Sequence, residues 1–243
     1  MMGDIAARTS VSAQIIGHDD DPAPVLDSHP GRPILVTTRN DDLDGLVADI
    51  HPDNLPDLIL VQNGLLLPWL VERGLQNVTQ GVLYVAVPSV GAPPKSGGES
   101  LFWGPHAQDI AGMLTAGGVP ARSTPDESVF LRESGIKLLW ICVFGLLGEA
   151  TGLSVGELAR EEVGAVRALV AELVPVVDRA LDTTLPINAV TSEVLAYARA
   201  IPEYRATLKE WEWRNGAVLQ VAAELGLQTP RHNGWLRQTS HKG

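Results

Sequence analysis

Apolar positions fall along this chain in two regimes. In the first, short apolar runs alternate with amphipathic segments. Residues 11–16 (VSAQII), 34–38 (ILVTT), 58–62 (LILVQ) and 81–87 (GVLYVAV) read as strands, and residues 100–103 and 119–123 as shorter ones. The run at 58–62 has the near-continuous apolar character of a buried parallel strand. Residues 41–50, 65–73 and 108–116 read as the helices that separate these strands. Residues 17–32, with three consecutive aspartates (Asp19, Asp20, Asp21) and three prolines, read as a loop, and the Gly/Pro/Ser stretch at 88–99 as a mobile loop or hairpin.

The pattern changes near Ser128. Residues 129–149, 154–181, 189–199 and 202–225 all read as helix, with a short helix after Pro230. The expected architecture is therefore α/β followed by all-α. A mainly parallel sheet over residues 1–125 precedes a helical domain over 126–243, with a cleft between the two.

The most informative stretch is residues 136–148, IKLLWICVFGLLG. It is too short to span a bilayer, which takes about 20 residues. A helix this apolar on every side belongs inside a protein. Its single charge, Lys137, needs an explanation, because lysine is almost never fully buried without a partner. It either snorkels to the surface from the helix start or serves as a functional ammonium.

Composition narrows the field. Hydrophobic residues make up 45% of the 243 and charged residues 19%, a globular balance. The net charge of −11 argues against nucleic acid and anionic membrane surfaces as partners. Cys142 is the only cysteine, so no internal disulfide forms, and a cytoplasmic setting is expected. Six tryptophans, among them Trp211, Trp213 and Trp235, fit either a core or the face of a homodimer. No metal site is expected.

Three places can carry chemistry. Gln62-Asn63-Gly64 closes the buried strand, at the edge where open α/β sheets bind ligands. The Asn63 amide offers a donor and an acceptor, and Gly64 permits close approach to the backbone; an ordinary strand-to-helix turn accounts for the same residues. Lys137 is the second place. The third is residues 204–216, YRATLKEWEWRNG, read as helix, where Glu210 and Arg214 stand i, i+4 and can simply pair on the surface.

The order of these places resembles the ketopantoate reductase family of NAD(P)-dependent 2-keto acid reductases. An α/β half leads to QNG after a buried strand. A lysine then opens an apolar helix, Glu-x-x-x-x-Asn-Gly follows about 70 residues later, and Leu227-Gln228-Thr229-Pro230 comes last. The resemblance runs from about Val11 to the end. It implies a Rossmann-like domain, a helical domain of the 6-phosphogluconate dehydrogenase C-terminal type, NADP or NAD as cofactor, and a small 2-keto acid as substrate. It also implies Lys137 as general acid, Asn63 beside nicotinamide and substrate, Glu210 on the substrate's hydroxyl end, and Arg39 near the cofactor phosphates, with Gly64 at the same edge. A partly desolvated lysine gives up its proton readily, which suits the acid.

The departures bear on function. Where the family has a substrate-binding asparagine four residues after its lysine, this chain has Ile141. Where it has a serine twelve residues before its glutamate, this chain has Ala198. Gly145 and Gly148, on the Lys137 face, are expected to leave extra room. Ketopantoate itself is thus a poor fit. The family's opening strand and G-x-G-x-x-G turn have no counterpart, and residues 1–9 read as the back of a helix. Either the start is an internal methionine or the dinucleotide site has been lost. In the second case the chain is a non-catalytic relative kept for binding or assembly. The acidic tip after residues 11–16 favours NAD over NADP, unless it is only a solvated loop.

Overall fold

The computed structural model describes residues 13–17, 20, 22–86 and 95–240. The chain forms two compact units. The first comprises Met1–Gln62, Pro68–Tyr84 and Glu99–Phe130; the second comprises Asn63–Leu67, Val85–Gly98 and Leu131–Gly243.

The first unit is built on a five-stranded sheet of order β1-β2-β3-β6-β7. Its strands are β1 (Ile34–Val36), β2 (Leu58–Leu60), β3 (Thr79–Val82), β6 (Ser100–Trp103) and β7 (Ala121–Ser123). Neighbours pair in parallel except β3 with β6, which run antiparallel with Gly81 opposite Phe102. The sheet is thus mainly parallel, as the alternation of strands and helices implies. All three β2 residues are buried, which is why that strand is apolar without a break. Helix α1 (Ala23–Asp27) precedes β1, and α2 (Leu43–Asp49), α3 (Leu67–Glu72) and α4 (Ala107–Ala116) join later strands. Gly81 has no Cβ because the Phe102 ring of the paired strand takes that space.

The strand expected over 81–87 is broken: β3 ends at Val82, and Val85–Ala86 pair instead with Lys95–Ser96. Within residues 11–16, Val11 and Ser12 lie outside the described residues, and Ala13–Ile16 carry no ladder among those described. The reading of residues 1–9 also lies outside them, as does most of the acidic tip. Residues 17–32, read wholly as loop, contain α1, which Pro22 caps and whose first turn holds Pro24.

In the second unit, α5 (Glu127–Thr151) carries the apolar stretch; its first turn belongs to the first unit. Residues 135–148 are buried throughout. Gly152, at φ +72°, ends the helix, and a capping box between Ser154 and Glu157 starts α6 (Val155–Glu161). Then follow α7 (Val163–Leu181), α8 (Ile187–Ala200), α9 (Asn215–Glu224) and α10 (Pro230–Leu236), with the short antiparallel pair β4 (Val85–Ala86) and β5 (Lys95–Ser96). No single helix among the described residues is long and apolar enough to cross a membrane, although α5 and α6 together, bent by 89°, match on length and composition.

The expected helix over 202–225 is corrected. Residues 202–210 are irregular, residues 211–213 form one 3₁₀ turn, and only Asn215–Glu224 is α-helical. The cause is packing. A Cβ on Gly148 would fall on the Ala206 carbonyl, and one on Gly145 would lie 3.1 Å from the Thr207 carbonyl oxygen. The two glycines let the 202–210 backbone lie on α5, so the extra room expected beside Lys137 is already filled. The same segment accepts hydrogen bonds from the start of α6, Val155 N–H to Tyr204 and Gly156 N–H to Pro202. These contacts override the helix propensity of its Ala, Arg, Leu, Lys and Glu residues.

Candidate functional site

Lys137 sits on the buried stretch of α5 with 8% of its surface exposed. It does not snorkel. Its Nζ donates to the Tyr197 hydroxyl at 3.1 Å and lies 4.3 Å from the centre of that ring and 5.0 Å from the Trp140 ring. Both rings present their negative faces to the ammonium. Tyr197, on α8, is held in turn: its ring centre is 4.7 Å from that of Trp140, and a Cβ on Gly97 would strike its edge. Burial brings the Lys137 amine down from its ordinary 10.5 to about 7; the positive charge of Arg214 pushes the same way, and Glu133 on the same helix opposes. Burial also raises the Tyr197 phenol, so it stays protonated. Burial pushes the Cys142 thiol up to about 12, which fits an inert core thiol.

Glu210 and Arg214 do pair, though not as i, i+4 neighbours on a surface helix. Glu210 has left-handed backbone (φ 45°), and the 3₁₀ turn brings its carboxylate to Arg214 Nη2. The pair is mostly buried, with 22% and 13% of the two side chains exposed. Arg214 Nε is buried and meets no acceptor among the described residues. The following residue, Asn215, fixes this corner to α5: its Nδ2 donates to the Cys142 carbonyl at 3.0 Å and meets His232 Nε2 at 2.9 Å. Because one amide group donates to both, His232 is neutral and accepts at Nε2. Burial lowers this imidazole to about 4. His232 is placed by Glu172, whose carboxylate accepts the Arg231 and His232 backbone N–H groups at the start of α10.

Asn63 and Gly64 belong to this second unit too. Leu65 N–H donates to the Trp213 carbonyl at 2.7 Å, and Gly64, at φ +124°, stands where a Cβ would strike that same oxygen. The glycine is thus explained by a close backbone contact within the protein. In the first unit, Gln62 Nε2 donates to the Val36 and Thr38 carbonyls at 3.2 and 3.3 Å, tying the carboxyl ends of β1 and β2 together. Arg39 is exposed just beyond the end of β1, and Thr38 Oγ1 is buried with no partner among the described residues. Among the described residues no group of three or more His, Cys, Asp or Glu side chains could hold a metal.

Lys137, Glu210, Asn63 and Gly64 were singled out in the sequence and share one unit; Arg39 lies in the other. Sequence reasoning missed Tyr197 and Trp140, and took Arg214 only as a surface partner. Trp140 carried a weak signal, three residues after a lone buried lysine. Tyr197, 60 residues away, carried none.

Neither family models nor curated proteins match this sequence. Solved structures do. D-mandelate dehydrogenase with NADH and anilino(oxo)acetate superposes with TM-score 0.67 at 14% identity, over 95% of this chain and 77% of that one. A ketopantoate reductase from Ralstonia eutropha gives 0.63 at 19%, over 96% and 76%. A dimeric ketopantoate reductase from Staphylococcus aureus gives 0.60 at 16%, over 84% and 74%. The fold of this chain, a Rossmann-like sheet unit with a helical unit, is the one these ketopantoate reductases and D-mandelate dehydrogenase share.

Proposed function

We propose that this chain is a nicotinamide-dependent reductase of small 2-keto acids, with Lys137 as its general acid. The observation that carries the reading is the buried Lys137 amine, placed near neutrality by burial and gripped by Tyr197 and Trp140. An amine in that state gives a proton to a carbonyl oxygen and regains it from water near neutral pH. The neighbour that holds NADH and anilino(oxo)acetate supports a 2-keto acid as the reacting class.

The cofactor, NADP or NAD, supplies hydride to the carbonyl carbon. At the carboxyl ends of β1 and β2, Arg39 and the Thr38 hydroxyl, which has no partner among the described residues, would hold its phosphate and ribose groups. Gly64 keeps the adjoining turn open to Trp213, and Asn63 offers its amide to nicotinamide and substrate. Glu210 acts through Arg214, the cation that it holds, and Lys137 protonates the oxygen as the C–H bond forms. Ile141 and Ala198, both buried, replace polar contacts with apolar ones, so the preferred substrate has an apolar side chain. An apolar wall disfavours the extra hydroxyl of ketopantoate by up to about 100-fold.

The test is reduction of phenylglyoxylate, 2-oxoisovalerate and ketopantoate, each with NADH and with NADPH. The expected result is turnover of the first two over ketopantoate, lost by at least about 100-fold in Lys137→Ala. No cofactor oxidation with any of them, or an undiminished Lys137→Ala rate, sinks the reading.

A further inference from the structure

Arg214 has a task still open. Its Nη2 is committed to Glu210, while its Nε–H is buried and meets no acceptor among the described residues. A buried donor on a charged group is costly to leave unmet, and in binding sites such a donor waits for its ligand. The guanidinium is not free to turn away. Asn215, the next residue, is tied to the Cys142 carbonyl on α5, the helix that bears Lys137. The two cations therefore belong to one site, close enough for the Arg214 charge to oppose that of Lys137. Two buried cations near one another invite an anion.

We propose that Arg214 anchors the substrate carboxylate, its Nε–H donating to a carboxylate oxygen of the 2-keto acid while Glu210 holds Nη2. The proposal rests on the reading of Lys137 as the acid of a 2-keto acid reductase. Every 2-keto acid carries its carboxylate on the carbon next to the reacting carbonyl. A carboxylate on Arg214 thus fixes the carbonyl as well, whatever the side chain. Recognition divides between a polar anchor common to the class and the apolar wall of Ile141 and Ala198.

A second consequence concerns the proton. The groups that act on Lys137 are Glu133 on its own helix, Tyr197 on α8, and Arg214, which Glu210 holds; Tyr204 in the 202–210 segment acts on Tyr197. An incoming carboxylate cancels the Arg214 charge and adds its own attraction. Lys137 then holds its proton more firmly once substrate is bound, so the acid is loaded by the molecule it will protonate. Hydride adds to the carbonyl carbon, the oxygen takes the Lys137 proton, and the neutral amine is recharged from solvent.

The test uses oxamate, an unreactive 2-keto acid analogue, and the full chain labelled with ¹⁵N-lysine, with and without NADH. Only four lysines contribute Nζ signals: Lys95, Lys137, Lys209 and Lys242. Oxamate is expected to raise the Lys137 titration by about one pH unit and to leave the other three in place. Arg214→Met is expected to weaken oxamate binding by at least about 30-fold. Arg214→Lys, which keeps the charge and loses the Nε–H, is expected to weaken it by about tenfold, and it guards against misfolding of the first variant. Oxamate bound as tightly by both variants as by the native chain, or not bound by the native chain at all, overturns the anchor. A native rate of 2-keto acid reduction in Lys137→Ala overturns the reading beneath it, and binding read without turnover keeps the two failures apart.

Discussion

Lys137→Met should make the protein more stable near neutral pH and alter how its stability depends on pH. In the folded chain the amine titrates at about 7 against 10.5 when unfolded. Below pH 7 both states carry the proton, and the folded state bears the full burden of a buried charge. The difference of 3.5 units corresponds to at most about 5 kcal/mol. As pH rises from 7 to 10.5 the folded amine gives up its proton first, and the burden is lifted. Native stability therefore rises with pH across that window from this group. Met fills nearly the same volume and packs well against Trp140 and Tyr197. The variant loses the hydrogen bond to the Tyr197 hydroxyl, which costs about 1–3 kcal/mol. The expected net gain is about 2–4 kcal/mol at pH 6. Urea denaturation at pH 6, 7, 8 and 9 measures it. The native curve should gain about 2 kcal/mol between pH 7 and 9 that the variant does not. Parallel curves refute the reasoning, since they mean that the folded amine titrates as an exposed one does.

Further predictions concern the surroundings of Lys137 and the packing behind it. Tyr197→Phe keeps the ring and removes the acceptor that favours the ammonium, so the alkaline limb of kcat/KM should move down by about one pH unit, as read from a pH–rate profile. His232 is held neutral with its titration at about 4 instead of 6.5; the unfolded chain takes up that proton first as pH falls, so stability should drop by up to about 3 kcal/mol between pH 6.5 and 4, and His232→Gln should flatten that fall in urea melts. Gly148→Ala should destabilise by more than about 2 kcal/mol, because its methyl meets the Ala206 carbonyl, while Gly145→Ala, whose methyl would stand at a tight 3.1 Å from the Thr207 carbonyl oxygen, should cost less, about 1 kcal/mol or below. Thermal melts of the two variants decide that contrast.

Much of the fold was legible because burial and periodicity are local signals. LILVQ announced β2, the SLFW strand fell where expected, and the long helix around IKLLWICVFGLLG was visible from its apolar length. Residues 202–210 were not, for a physical reason. Their composition favours helix, and only the bare faces of Gly145 and Gly148, some sixty residues earlier, draw them onto α5. The division of 154–181 at Glu162 was missed because the apolar residues on both sides are buried alike, so the pattern continues through the break. Lys137 stood out as the lone charge in an apolar run. Its partners did not, because the bond to Tyr197 spans 60 residues and the approach of Arg214 depends on the anchoring of Asn215. The glycine of Gln62-Asn63-Gly64 was visible as a turn residue, but the carbonyl of Trp213 that requires it lies in a segment the pattern misread.

The central claim is that hydride reaches a 2-keto acid in this protein while Lys137 supplies the proton. Its most direct measurement is the fate of deuterium from [4,4-²H₂]NADH and [4,4-²H₂]NADPH, each incubated with phenylglyoxylate and the native chain or Lys137→Ala, with the product analysed by mass spectrometry. The account predicts deuterium on the carbinol carbon of mandelate with the native chain and at least about 100-fold less with the variant. Unlabelled product, no product, or equal labelling by both proteins would contradict it.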